Sequence, residues 1–176
     1  MTETCGGVVY DGVAFPDVTV DVRADGRIVV GGPTLLRRYR GDADATAAAF
    51  DDAGRFVTSD LGRIGPDGRL EVLGRADDAI TTGGETVMPL AVERVLATHP
   101  AVGEAAVVGR PDPEWGERVV AVVVPRGSPP ALEDLRAHVR GTLPPWAAPR
   151  ELVLVERLPR TISGKVRRVE LRDLLG

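Results

Sequence analysis

Apolar and polar positions keep a two-residue period through much of the first part of the chain and then change texture. "VTVDVRADGRIVVGG" (18–32) alternates on both sides of Asp25-Gly26, and "GRIGPDGRLEVLGR" (62–75) does the same around Asp67-Gly68. Asp-Gly between alternating apolar runs is a strong short-range hairpin signal. Between them, "DADATAAAF" (42–50) predicts a short helix capped by Asp42 or Asp44. From Asp77 the pattern mixes periods. "MPLAVERVLATHP" (88–100) places Leu90, Val92, Val95 and Leu96 at helical spacing, with Pro89 in the first turn and Pro100 beyond the end. "VGEAAVVGR", "ERVVAVVVP" and "RELVLVERLP" predict strands rich in β-branched residues. "PALEDLRAHVRGTLP" predicts an amphipathic helix through Leu132, Leu135 and Val139, and "KVRRVELRDLLG" a final helix. The expected class is α+β: a partial β-rich unit of hairpins over 1–76, then an α+β module over 77–176.

Composition narrows the setting without changing that picture. The 176 residues are 43% hydrophobic, 27% charged and only 4% aromatic, so the cores must be built from Val, Leu, Ala and Ile. A net charge of -4 gives no general reason to expect nucleic-acid binding. The single cysteine, Cys5, excludes an internal disulfide and fits a reducing compartment. No apolar run is long enough to span a membrane and no signal pattern opens the chain, so the expectation is a cytoplasmic protein.

One detail of composition does point to chemistry. Of 22 basic residues only one is a lysine, Lys165, and it lies in "PRTISGKVRR" (159–168). That stretch is too glycine-rich for a helix and too polar for a buried strand. A phosphate-loop reading of "SGK" fails, because Val166 follows the lysine and the upstream glycine is replaced by Pro159. "TTGGET" (81–86) is a double-glycine turn, read most simply as a hairpin and alternatively as a loop that lets a narrow ligand pass. Asp60 follows "FVTS" at an expected strand end, where it could cap a turn or accept hydrogen bonds from a ribose diol. Arg75 reads as a solvated charge or a polyol and phosphate donor. Trp115, in "PDPEWGER", either packs on its own domain or presents a flat face to a ligand. His99 and His138 lie far apart in sequence without a suitably spaced third ligand, and read as surface or helix-end residues.

Taken together and in order, "TSDLGR" (58–63), "GRADDAITTGGETVMPLAVERVLATHPAVGEAAVVGRPDPEWGE" (74–117) and "PRTISGKVRR" resemble the C-terminal portion of the adenylate-forming acyl-CoA ligase (AMP-binding) superfamily. The opening "MTET" is similar to the tail of that superfamily's aromatic-Gly-Met-Thr-Glu motif. "MTETCGGVVYDG" further resembles the o-succinylbenzoate–CoA ligase branch of menaquinone synthesis. The resemblance implies a two-step reaction. A carboxylate attacks the α-phosphate of ATP, giving acyl-adenylate and pyrophosphate, and the thiol of coenzyme A then displaces AMP. It matches Lys165 to the lysine used in adenylation and Thr2 to a phosphate-contacting threonine. Glu3 matches the magnesium-linked glutamate, and Asp60 and Arg75 the ribose-binding pair. Asp77 matches the hinge about which the small C-terminal domain, or lid, swings between steps. Gly83 and Gly84 match the loop lining the pantetheine passage, with Trp115 beside it.

The implied co-substrates are ATP with Mg2+ and coenzyme A, together with a carboxylic acid. The family's Ser/Thr/Gly-rich phosphate loop has no counterpart in this sequence. The resemblance therefore implies the last β-rich subdomain of the large domain plus the whole lid, inactive without the N-terminal portion of the ligase. That portion is one implied partner, and a second copy in a homodimer is left open; neither nucleic acid nor membrane is expected. Two other readings stay open: a stand-alone lid-like module that binds nucleotide or CoA or docks on a ligase, and a non-catalytic remnant.

Overall fold

A computed structural model describes residues 1–175, and the chain forms two units, Met1–Asp77 and a second beginning at Asp78. In the first, a two-stranded ribbon of β1 (Val9–Tyr10) and β2 (Val13–Ala14) precedes a four-stranded antiparallel sheet. Its strands are β3 (Thr19–Val22), β4 (Arg27–Gly31), β5 (Phe56–Ile64) and β6 (Leu70–Arg75), in the order β3-β4-β5-β6. Both Asp-Gly turns form, with Gly26 and Gly68 at φ of 80° and 76°. A short helix α1 (Ala43–Ala48) fills the β4–β5 connection, and Asp42 is its N-cap, accepting from the Ala45 amide at 2.8 Å. The core is small: Val8, Ile28 and Val30 are buried, with Val9, Val18, Val20, Val22, Leu35 and Leu70 packed around them.

The second unit opens with the hairpin β7 (Ile80–Thr82) and β8 (Glu85–Val87), followed by α2 (Pro89–Leu96). The long hairpin β9 (Val102–Asp112) and β10 (Gly116–Pro125) comes next, then α3 (Leu132–Arg140), β11 (Glu151–Leu154) and α4 (Arg168–Leu175). Strand β9 runs along one edge of β10. The other edge is shared: Thr82 of β7 faces Gly116, and β11 pairs in parallel with Val120 to Val123.

The valine-rich runs of β9 and β10 lack clean alternation because both faces of this sheet are covered. Val107, Val119, Ala121 and Val123 pack with Val92, Leu96, Leu135 and Val139 from α2 and α3. The alternate residues Ala106, Val108, Val120 and Val122 pack with Leu158, Leu171 and Leu175 on the α4 side. The α+β class matches the sequence expectation. The final helix begins at Arg168, three residues later than the apolar pattern suggests, because Lys165 to Arg167 pair back onto the preceding segment instead. Among the described residues no helix is long and apolar enough to cross a membrane.

Candidate active-site residues

The sheet of the first unit brings Asp60 and Arg75 together. They are directly opposite on β5 and β6, and an Arg75 guanidinium nitrogen lies 3.9 Å from Asp60 Oδ1. The same guanidinium reaches Asp77 Oδ2 at 2.9 Å, so three separately chosen residues form one cluster. Asp60 does not end its strand as expected. β5 continues to Ile64, and the register shift between Leu61 and Gly62 supplies the local irregularity instead. Thr58 Oγ1, from a buried residue, accepts from the Asp60 amide at 3.0 Å and fixes the backbone there. The Arg75 and Asp60 side chains are 52% and 33% exposed, and such pairs typically contribute about 0–1 kcal/mol. Their arrangement leaves carboxylate and guanidinium available to a polar ligand.

Thr2 and Glu3 lie in a short 3-10 turn, Thr2–Thr4, held by the Cys5 amide on Thr2 O and by Thr4 Oγ1 donating to Gly6 O at 2.7 Å. The Glu3 carbonyl accepts from Leu36 N at 2.7 Å. Its carboxylate faces the Tyr39 phenol, whose pKa is raised first by burial and then by that negative charge. Among the described residues no hydrogen bond or ion pair joins Thr2 or Glu3 to the Asp60 cluster. No group of three or more His, Cys, Asp or Glu that could hold a metal is found among them either. Glu3 thus offers one carboxylate, a donor set suited to Mg2+ only when phosphates and water complete the shell.

In the second unit, Gly83 and Gly84 form the β7–β8 turn, both at positive φ, 59° and 83°. Two consecutive residues in that region suit a tight two-residue hairpin. Trp115, between β9 and β10, lies against it: Gly83 N donates to Trp115 O at 2.9 Å, and a Cβ on Gly83 would meet the indole Cε3 at 2.8 Å. The Trp115 backbone and its half-buried ring each have a partner. Asp112 Oδ1 accepts from the Trp115 amide at 3.1 Å, and the Arg150 guanidinium stacks 3.8 Å from the ring centroid. Amide donors from Glu114 and Trp115, with Arg118 and Arg150 nearby, hold the Asp112 carboxyl below the usual range against the opposing effect of burial.

Lys165 sits on a tight turn. Gly164 N donates to Thr161 O at 2.9 Å, Thr161 N to Lys165 O at 2.8 Å, and Arg167 N to Pro159 O at 2.9 Å. Residues 161–165 are exposed, and no described residue forms an ion pair with the Lys165 ammonium. The turn is tied down by Arg160, which donates to Gly164 O at 2.6 Å and to Glu104 at 2.5 Å. Glu104 faces Val124 on β10, whereas the Gly-Gly turn meets β10 through Gly116. Those positions are eight residues apart (124 − 116), or roughly 26 Å of strand.

Arg150 was not picked out by sequence, because its partner Trp115 is 35 positions away (150 − 115) and only the parallel pairing of β11 brings it near. Glu93, Asp78 and Arg168, which form an ion-pair network whose arginine lies three residues along the chain from Lys165, were missed for the same reason. His99 and His138, distant in sequence, meet edge to face with centroids 5.1 Å apart.

Residues 91–165 match the AMP-binding enzyme C-terminal domain family. Over 175 residues the chain is 51% identical to a probable 2-succinylbenzoate–CoA ligase of Mycobacterium tuberculosis, covering 97% of this chain and 45% of that protein. The structure of o-succinylbenzoate CoA synthetase from Bacillus subtilis with its acyl-adenylate intermediate is 32% identical, with a TM-score of 0.87 over 99% of this chain and 39% of that one. ATP-bound MatB from Rhodopseudomonas palustris is 34% identical, with the same TM-score and coverage. The chain spans less than half the length of these relatives.

Proposed function

We propose, from the premise that this chain belongs to the adenylate-forming acyl-CoA ligase (AMP-binding) family as its C-terminal portion, that it completes an ATP-dependent carboxylate–CoA ligase. Its acid is o-succinylbenzoate, which links it to menaquinone synthesis. In the first step a carboxylate oxygen attacks the α-phosphorus of ATP and pyrophosphate leaves. In the second the thiol sulfur of coenzyme A attacks the acyl carbon, losing its proton, and AMP leaves.

The observation that carries the proposal is the separation of the two candidate loops within one unit. Lys165 and the Gly83–Trp115 surface are tied to opposite ends of β10. Loops anchored that far apart along β10 suit two different placements of the unit better than one. Two half-reactions with different needs suit such a unit if it turns about Asp77.

Adenylation presses an anionic carboxylate against an anionic phosphate. The compact ammonium of Lys165 bridges both and stabilises the charge that moves in the transition state. Asp60 accepts hydrogen bonds from the ribose hydroxyls while Arg75 donates to the same moiety. Thr2 donates to a phosphate oxygen, and Glu3 would hold Mg2+, which would lower the charge repulsion of the polyphosphate. For the thioester step, the side-chain-free Gly83 and Gly84 leave a slot beside the Trp115 face through which pantetheine passes.

ATP–pyrophosphate exchange with o-succinylbenzoate tests this directly. The 176-residue chain alone should show none, and the chain fused to the N-terminal portion of the Mycobacterium tuberculosis relative should show it. Exchange by the purified chain alone contradicts the assignment. So does a folded fusion that binds ATP but activates no carboxylic acid.

A further inference from the structure

We propose that Arg168 is a positioning residue for Lys165, holding the root of its turn through Glu93 and Asp78 so that the ammonium points in one direction. The inference rests on the reading of Lys165 as the adenylation lysine. It starts from a mismatch. The turn is well bonded within itself, yet residues 161–165 are exposed and Ile162 at its tip is fully solvated. Among the described residues none buries the tip, so its direction comes from its two roots.

The roots are unequal. On the incoming side Leu158 is buried, but the polar tie is the Arg160–Glu104 pair, whose side chains are 44% and 49% exposed. Exposed pairs of this kind hold little. On the outgoing side one Arg168 nitrogen donates to both Glu93 carboxylate oxygens, at 2.7 and 2.8 Å. Its other terminal nitrogen lies 3.5 Å from Asp78 Oδ2, and these three side chains are only 14–23% exposed.

Shielded, charge-assisted contacts of a guanidinium to carboxylates are the strong kind. Glu93 is itself fixed, because it also accepts from the Val107 amide at 2.8 Å, in the middle of β9. A continuous path therefore runs from strand β9 through Glu93 and Arg168 to a lysine three residues away (168 − 165). Lysine at 168 would keep the charge but lose the fork that reaches two carboxylates at once.

The single lysine makes the test specific. Selective 15N-lysine labelling of the 176-residue chain yields one backbone amide signal, that of Lys165. Its heteronuclear NOE should be high in the unaltered chain and drop in Arg168→Met. Glu93→Gln, which keeps an acceptor for Val107, should lower it as well, and Arg168→Lys should fall between. Adding Glu93→Gln to Arg168→Met should lower it no further.

In the fused ligase, Arg168→Met should cut the adenylation rate roughly 10- to 100-fold, with KM for ATP and thioester formation from supplied acyl-adenylate each changing less than about threefold. Arg168→Lys should recover part of the loss. If Lys165→Ala fails to slow adenylation selectively, the reading of Lys165 falls, and this inference with it. If Lys165→Ala is selective but Arg168→Met slows both steps alike, or leaves adenylation intact, Arg168 is not a positioning residue. An unchanged NOE in both Arg168→Met and Glu93→Gln overturns the inference whether or not the fusion is active.

Discussion

The backbone amide of Gly83 donates to the carbonyl of Trp115 at 2.9 Å, and the indole covers the glycine so closely that a Cβ would meet its Cε3 at 2.8 Å. Gly84, its neighbour in the turn, also has positive φ, but a Cβ there would meet nothing within 4 Å. The two glycines are therefore not equivalent. Gly84→Ala should lose only the left-handed backbone preference, about 1–2 kcal/mol. Gly83→Ala should cost more and displace the ring. Thermal unfolding and tryptophan emission of the chain, in a Trp146→Phe background, check this; equal effects of both variants would rule out the ring contact as the cause.

Lys165→Ala in the fused ligase should suppress adenylation by on the order of 100- to 1000-fold, the usual loss for one preorganised electrostatic contact. Thioester formation from supplied acyl-adenylate should be far less affected if, as proposed above, the glycine turn rather than the lysine serves that step. Gly84→Leu should show the opposite bias by obstructing the slot. Each half-reaction is assayed separately, with ATP binding as the folding control. Equal slowing of both steps by Lys165→Ala would refute the step-specific role.

Asp112 supplies an acid-sensitive element. Its folded-state pKa lies below that of the unfolded chain, chiefly because the Glu114 amide bonds to the carboxylate. Its contribution to stability is thus complete above the unfolded value, about 3.9, and is lost as pH falls through the folded one. Asp112→Asn should flatten this acid limb of a stability–pH curve measured by urea unfolding. An unchanged slope below about pH 4 would show that the carboxylate carries none of it.

The two units should differ in resistance. The first has three residues in its buried cluster, while Tyr10, Val13, Phe15 and Ile64 are exposed. The second buries both faces of its sheet. Limited proteolysis should leave a C-terminal product of about 100 residues, a common size for a small domain. Survival of the first unit alongside it at equal rates would contradict the comparison.

By itself the sequence determined the local structure wherever chemistry and period agree over a few residues. The Asp-Gly and Gly-Gly turns need glycine's positive φ, the Pro89 helix start needs a fixed φ, and the amphipathic 3.6-residue stripes of α2 and α3 need a core on one side. The same stretches carried the family resemblance, and with it the candidate residues. Only the tertiary structure decided which of them meet. Asp60 faces Arg75 because of strand register, Arg150 reaches Trp115 because β11 runs parallel to β10, and Arg168 finds Glu93 from 75 positions away. It also moved the start of the final helix, since Arg167 N bonds to Pro159 O rather than continuing the apolar period backwards. Local preference depends on a few neighbouring torsions and is written in short windows. Long-range ion pairs and stacks depend on how strands register and layers pack, and no window of the chain contains both partners.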